Sequence, residues 1–561
     1  MRAFLWHIAL LGLMGAATWG QVTLEWAERY DSPSQGLDEA RAVVTDSEGN
    51  CYITGSANGE MVTIKYRPDG SVDWMAKYSS SSPNASFGQA IALDSGGNVI
   101  AAGSSYEVGS GWDYVVVKYD STGNEQWVQR LTGAAGDAGP GDMLGGLAVG
   151  KEGNIYVTGT SQRFEGDGSR MDVATACYAP DGTRLWANYW PGDFGEEGGG
   201  GRAVCVDNAG SCYVAAAYWN TMDNDILTIK YNSSGDIEWK AQWNGTGGPG
   251  TGDDPMGIAY GSDGNVYVGG TMQSGSNSDY VLISYAPGGA DRFATLFDRG
   301  GAKGPDYAYG FASSPKGVYL TGYSYGGPSG GDVGTVAFDF DGNIIWSSFW
   351  ENPQGSSYDQ GTAVTADASG NVYVAATSKG NTYFDFITIK YDSDGQEQWL
   401  AEYDLSGGMD YPYAIATGPQ GEVFVTGSSD SNTGNADYLT LKYKQGGGPE
   451  TYYPTAAQTI KGTFNSGTLE SFTADDDNYW VQGAQYDPTD PLAVINSTLQ
   501  ADTNAASSSY ISGSVKVIEK TTTTQAKYRI RAVKSGGGFA TLVDGVQTGF
   551  SEVTFDEALP S

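Results

Sequence analysis

The sequence predicts an all-β chain: an eight-bladed β-propeller closed by its own N-terminal strand, followed by a small β-sandwich. Three observations predict it. A unit of about 53 residues recurs, as in ARAVVTDSEGNCYITGS from Ala40, QAIALDSGGNVIAAGSS from Gln89 and GTAVTADASGNVYVAATS from Gly361. Each unit reads as four alternating segments broken by tight-turn signals, the pattern of one propeller blade. Glycine supplies 83 of 561 residues while 40% remain apolar, which describes a turn-dense chain that still has a core.

Taken in chain order, residues 1–20 come first. Arg2, an apolar run from Ala3 to Leu13 and small residues after it read as a cleaved secretory signal. No later apolar run is long enough to span a bilayer, so the mature chain is expected to carry no membrane span. The propeller is placed at 21–446 and a Gly/Pro-rich linker at 447–454. A Ser/Thr-rich module with strands such as SVKVIEK and AKYRIRAV follows at 455–561 and is read as the sandwich.

The tryptophans count the blades. Trp26, Trp74, Trp127, Trp186, Trp239, Phe293, Trp346 and Trp399 occupy one repeat position. Four residues later stand Tyr30, Tyr78, Leu131, Trp190, Trp243, Phe297, Trp350 and Tyr403, on the same strand face. The eighth unit lacks a tryptophan strand, and the chain begins with an orphan one, QVTLEWAERY. That orphan is predicted to complete the last blade and leave no free sheet edge. The first strands carry small residues where neighbours would converge (Ala42, Ala90, Gly146, Ala203, Gly257, Gly310, Ala363, Ala414), each followed by a bulky one.

The GN-(V/I)-Y-V-(T/A)-(G/A) and KYD-x-x-G-x-x-x-W strings resemble the SBBP-type β-propeller repeats of secreted bacterial and archaeal proteins over about 21–446. The resemblance implies the fold and a secreted, periplasmic or cell-surface setting, but no single activity. A weaker resemblance is to quinone-cofactor (PQQ-type) eight-bladed propellers. Those typically use adjacent cysteines, and this chain has none, so no cofactor is expected beyond calcium.

Charge and composition narrow the function. A net charge of −36 repels phosphate backbones, so nucleic acid is not expected as a partner. The one histidine, His7, falls within the signal, so imidazole-based catalysis and histidine–metal sites are absent from the mature chain. Cys205 and Cys212 flank the DNAG turn and are expected to face each other closely enough for a disulfide.

The first-to-second and third-to-fourth turns are short, and the other connections are read as long loops sharing the opposite face, where binding is expected. Two acidic sets border that face. One precedes the first strand: Asp38, Asp142, Asp253, Asp306, Asp359 and Asp410, the calcium candidates. The other precedes the third strand: Glu60, Asp113, Asp172, Asp225, Asp279, Asp332, Asp385 and Asp437. Recurrence in nearly every unit favours a role inside each loop, accepting backbone N–H groups.

Residues that break the repeat are the ligand candidates: Trp112 and Trp219 in the loops, with Tyr106, Tyr218, Tyr323, Tyr325, Tyr383, Asp193, Glu196, Glu197 and Asp254. Aromatic faces beside carboxylates suit sugar rings, whose C–H faces stack while hydroxyls donate. The same aromatics could instead pack loop against loop. The sequence therefore reads as a monomeric binding protein for carbohydrate or an extracytoplasmic protein. Alternatives are an envelope-assembly scaffold without a small-molecule site, and a glycan-cleaving enzyme using loop carboxylates. No acid pair stands out, which favours binding over catalysis.

Overall fold

The structure is a computed structural model. It describes residues 22–446 apart from short stretches at 33–35, 83–84, 134–140, 166–167, 193–197, 220–223, 246–251, 276, 300–303, 328–329, 353–357, 380–382, 405–407 and 431–434; beyond 446 it describes seven strands between Thr463 and Ala558. The chain divides into two compact units between Gly446 and Gly447. The predicted signal segment lies outside the described residues.

Among the described residues the first unit is all-β: six of its sheets are antiparallel and four-stranded, and the seventh is eight-stranded, two such four-stranded sets joined by one parallel pair, Met171 with Gly198; these two sets are numbered sheets 3 and 4. Sheets 1 to 7 cover 38–78, 86–131, 143–190, 198–243, 254–297, 306–350 and 359–403, each in simple up-and-down order. Sheet 8 takes three strands from 410–445, and its fourth is the N-terminal strand Val22–Tyr30, antiparallel to Ala436–Gln445. The first strand of each sheet packs on the first strand of the next, and that of sheet 8 packs on Asp38–Thr45 of sheet 1. Small residues permit this approach: a Cβ on Gly146 would stand 3.0 Å from the Ala203 Cα, and one on Gly310 3.1 Å from the Ala363 Cα. Buried cores lie between neighbouring sheets, such as Tyr213, Ile226, Ile258, Val268 and Ile283 between sheets 4 and 5.

The tryptophan position explains how one sheet grips the next. Six of the seven indoles donate Nε1–H to a carbonyl in the third-to-fourth turn of the following sheet: Trp26 to Pro68 (3.0 Å), Trp74 to Ser121 (3.2 Å), Trp127 to Pro180 (3.1 Å), Trp186 to Ser233 (3.1 Å), Trp239 to Pro287 (3.1 Å) and Trp346 to Ser393 (3.1 Å); Trp399 donates instead to Gln445 Oε1 (3.4 Å). The ring lies on that turn's glycine, held in the left-handed region (φ near +86° at Gly123, Gly235 and Gly289). Phe293 has no N–H to give. Its neighbour Arg292 donates instead to the Phe340 carbonyl at 3.0 Å. Lysines on third strands reach the same carbonyls, Lys118 to Pro180 (3.1 Å) and Lys442 to Pro68 (2.9 Å). These lysines are scaffold.

Two expectations are corrected. The second-to-third connections are not long loops in the sheets where they are described: Ala57 pairs with Glu60 across Asn58–Gly59, Glu107 with Gly111, and Ser274 with Asn277. Only the connections between sheets are long. The four cysteines are free, and Cys205 does not face Cys212. The register sets Cys205 opposite Tyr213 and Val206 opposite Cys212, which puts the two thiols on opposite faces. The cause is the turn: Gly210 at φ +80° adds one residue to a type I turn, so the hairpin has five loop residues rather than four.

In the second unit the backbone forms three small antiparallel sheets: Thr463–Asn465 with Thr468–Glu470; Ala493–Gln500, Tyr510–Glu519 and Ser551–Ala558; and Gln525–Val533 with Phe539–Thr548. Among the described residues no helix is long and apolar enough to cross a membrane.

Candidate functional site

First strands start, and second strands end, on the face that carries the inter-sheet connections. On that face, across sheets 6, 7 and 8, five aromatic rings follow one another. Tyr307 opens the stripe next to Tyr323, directly opposite in register (centroids 6.3 Å apart). Tyr323 meets Tyr358 at 5.5 Å, Tyr358 meets Phe384 edge-on at 5.9 Å, and Phe384 meets Tyr411 at 5.6 Å. Tyr307 and Tyr358 are exposed, at 38% and 40%, and the other three are half-buried. Tyr309, two residues along the same strand, and Met409 beside Tyr411 are also exposed. An exposed aromatic run of this length is uncommon on a surface with nothing to bind.

Three of the rings adjoin a buried acid in sequence. Tyr358 precedes and Tyr307 and Tyr411 follow a fully buried aspartate, respectively Asp359, Asp306 and Asp410. Asp306 accepts from the Arg299 amide (3.1 Å) and Ser324 Oγ (2.6 Å), and Asp359 from the Asn352 amide (3.0 Å) and Ser378 Oγ (2.6 Å). Asp38 accepts from the Ser32 and Asn58 amides at 2.6 and 2.9 Å, and Asp253 from Gly245 and Gln273, both at 2.7 Å. Asp142 accepts from the Gln162 amide at 2.9 Å. These carboxylates tie the inter-sheet connection to the second strand, the loop role that their recurrence indicated.

The predicted ligand residues separate into groups. Tyr323 belongs to the stripe. Tyr325, next on the same face, is exposed and lies on Gly304, and Tyr383 makes no ring contact among the described residues. Trp112 is not in a loop: it pairs with Tyr106 near the tip of a sheet 2 hairpin and packs on Phe87 at 5.3 Å. Trp219 ends a sheet 4 strand, opposite Gly198 and Asn224, with its ring edge over Gly200. Tyr218 is corrected from a ligand candidate to a core residue, 1% exposed and packed on Trp190 at 5.2 Å. Asp254 pairs with Arg202 at 3.1 Å; burial pushes its carboxyl up, against the pull of that arginine. Asp193, Glu196 and Glu197 lie outside the described residues.

Sequence reasoning missed Tyr307, Tyr358, Phe384 and Tyr411. The signal was present. Each is adjacent in sequence to a repeated acid (Asp306, Asp359, Asp385 and Asp410), and the position after the first-strand acid is Glu39 in sheet 1, Met143 in sheet 3 and Gln360 in sheet 7, but Tyr307 in sheet 6 and Tyr411 in sheet 8.

No protein-family model and no curated protein sequence matches the chain. Among solved structures it is similar to a protein of unknown function from Dyadobacter fermentans (10% identity, covering 76% of this chain and 99% of the other, TM-score 0.38). It is also similar to an ulvan lyase of polysaccharide lyase family 25 (9%, 73% and 95%, TM-score 0.36) and to a gluconolactonase from Xanthomonas campestris (11%, 75% and 89%, TM-score 0.30). At these scores the likenesses say nothing about what this chain binds.

Proposed function

We propose that the first unit is an eight-bladed β-propeller, closed by Val22–Tyr30, that acts outside the cytoplasm as a non-enzymatic glycan-binding protein. The second unit, read as a β-sandwich, serves attachment or accessory binding. The unbroken succession of sheet neighbours from sheet 1 to sheet 8 and back supports the ring. The export signal at 1–20 and the SBBP-type resemblance support the setting.

One observation carries the functional reading: the stripe Tyr307, Tyr323, Tyr358, Phe384 and Tyr411 spans three consecutive sheets with rings 5.5 to 6.3 Å apart. Phenol rings offer sugar C–H faces an apolar platform, and their hydroxyls bond with the sugar's own. A chain of rings suits a chain of sugars better than one isolated residue. The strong negative charge disfavours acidic polysaccharides, so neutral or basic glycans fit best.

The test is a glycan array with the full mature chain, followed by titration of any hit against Tyr358→Ala, Tyr323→Ala and, as a control in sheet 2, Tyr106→Ala. Affinity is expected to fall at least tenfold for the first two and to hold for the third. No glycan bound by the wild type, or equal losses from all three, overturns the reading; protein capture in place of glycan would turn it to the scaffold.

A further inference from the structure

Third-strand acids on the long-connection face are buried apart from the half-exposed Glu60, and in three sheets the acid meets a partner from a fixed place. That place is the fourth-strand residue three after the tryptophan position, whose register partner lies two residues beyond the acid. Arg29 fills it in sheet 8 and reaches Asp437 at 2.6 Å; Lys77 fills it in sheet 1 and reaches Glu60 at 3.2 Å; Gln242 donates to Asp225 in sheet 4. In sheet 6 the place holds Phe349, and Arg299 crosses from the preceding connection to Asp332 at 2.5 Å, its guanidinium stacked 4.0 Å over the Phe349 ring.

Sheets 5 and 7 place no donor there. Leu296 stands opposite Val281, two residues beyond Asp279, and Glu402 opposite Ile387, two beyond Asp385. Asp279 is 4% exposed, and its buried Oδ1 has no hydrogen-bond partner; its other oxygen faces Ser274. Asp385 is 9% exposed, and among the described residues no donor or cation reaches it. Each is aimed at two further carboxylates. Asp279 shares its space with Asp298 and Asp306, and Asp385 with Asp404 and Asp410; in each trio one oxygen per residue lies within 4.8 Å of the others. The trio Asp31, Asp38 and Asp437 has the same geometry, but there Arg29 supplies the positive charge.

We propose that a calcium ion takes the place of the missing side-chain cation at both junctions, held by Asp279, Asp298 and Asp306 between sheets 5 and 6, and by Asp385, Asp404 and Asp410 between sheets 7 and 8. All-oxygen ligation suits a hard cation. Calcium–oxygen distances place opposed ligands about 4.6–5.2 Å apart, wider than magnesium prefers. The ion neutralises buried carboxylates and joins adjacent sheets at the edge of the tyrosine stripe, since Phe384 and Tyr411 adjoin Asp385 and Asp410 in sequence.

The test uses the full mature chain stripped with EDTA and titrated with calcium chloride by calorimetry, with melting followed in parallel. Wild type is expected to bind and to melt higher with calcium. The double variant Leu296→Arg/Glu402→Arg places arginine where sheet 8 has Arg29. It is expected to melt higher than wild type in EDTA, to gain nothing further from calcium and to lose both sites. A second double variant, Asp298→Asn/Asp404→Asn, alters only exposed ligands and is expected to weaken binding at least tenfold. No calcium-dependent heat or melting shift in the wild type overturns the proposal, and so does unchanged affinity in either variant. Glycan binding by wild type in EDTA would leave the stripe reading standing while the calcium sites stand or fall on these titrations.

Discussion

Closure by the N-terminal strand can be tested with a single methyl group. Gly70, Gly235 and Gly264 all sit in turns at φ +87°, +86° and +84°, so alanine costs each about 1 kcal/mol in backbone strain. They differ in what the new Cβ meets. At Gly264 the nearest atom is the Tyr260 hydroxyl at 3.5 Å. At Gly235 the Cβ would stand 2.5 Å from the Trp186 ring, and at Gly70 2.9 Å from that of Trp26. The indole must move, losing its bond to Ser233 or Pro68, about 1 kcal/mol. It also loses part of its ring packing, about 1 kcal/mol more: Trp186 lies on Tyr231, and Trp26 on Tyr66 and Phe424. Gly70→Ala and Gly235→Ala should therefore each cost about 3 kcal/mol against about 1 for Gly264→Ala. Urea midpoints, followed by both tryptophan fluorescence and circular dichroism, give the comparison. If Gly70→Ala is no worse than Gly264→Ala, Trp26 is not docked and the N-terminal strand does not close the ring. If Gly235→Ala is also no worse, the indole dock does not hold the sheets together at all.

Three further outcomes are expected. Lys118 and Asp94 form an ion pair at 2.8 Å with both side chains over 90% buried, so Lys118→Met should destabilise by about 3 kcal/mol, with part recovered in Lys118→Met/Asp94→Asn; no recovery would mean the lysine acts only through the Pro180 carbonyl. Burial raises Asp142 from 3.8 to about 6. Its folded form therefore holds a proton that the unfolded chain has released, and stability should fall by about 3 kcal/mol as pH rises from 4 to above 6. Asp142→Asn should flatten that slope in urea titrations, and an unchanged slope would assign it elsewhere. Finally, unfolded protein under non-reducing conditions should show four thiols per chain to a disulfide-exchange dye, since all four cysteines are free; two would mean that Cys205 and Cys212 had bonded against their register.

The repeat was legible because its chemistry is positional. An indole, a turn glycine and a carbonyl two residues before it must recur together for one sheet to grip the next, so the tryptophan spacing marks the sheets, and the missing eighth tryptophan points to Val22–Tyr30. The hairpins in between were less legible. Trp112 and Trp219 looked like loop residues because glycine and polar residues surround them, and alternation does not distinguish a strand that runs on past its repeat from a loop. The cysteine pairing failed on a single residue: Ser211 belongs to the turn, and one residue is enough to reverse a side chain's face.

The candidate site was hardest to read because it occupies repeat positions rather than interrupting them. A position that recurs in every unit looks like scaffold, and the acids show why that inference is only half right. Asp38, Asp253 and Asp359 do hold their loops together. Yet the chain alters what stands beside such acids in a few sheets only. In sheets 6 to 8 it sets Tyr307, Tyr358 and Tyr411 next to them, all on one face. In sheets 5 and 7 it leaves out the cation that Asp437 and Glu60 receive elsewhere, by placing Leu296 and Glu402 at that position. A purely structural repeat gains nothing from burying an unpaired carboxylate, which costs free energy wherever it occurs. Exposed rings confined to three adjoining sheets, beside acids that recur in nearly every sheet, are what a binding face built on a uniform frame requires.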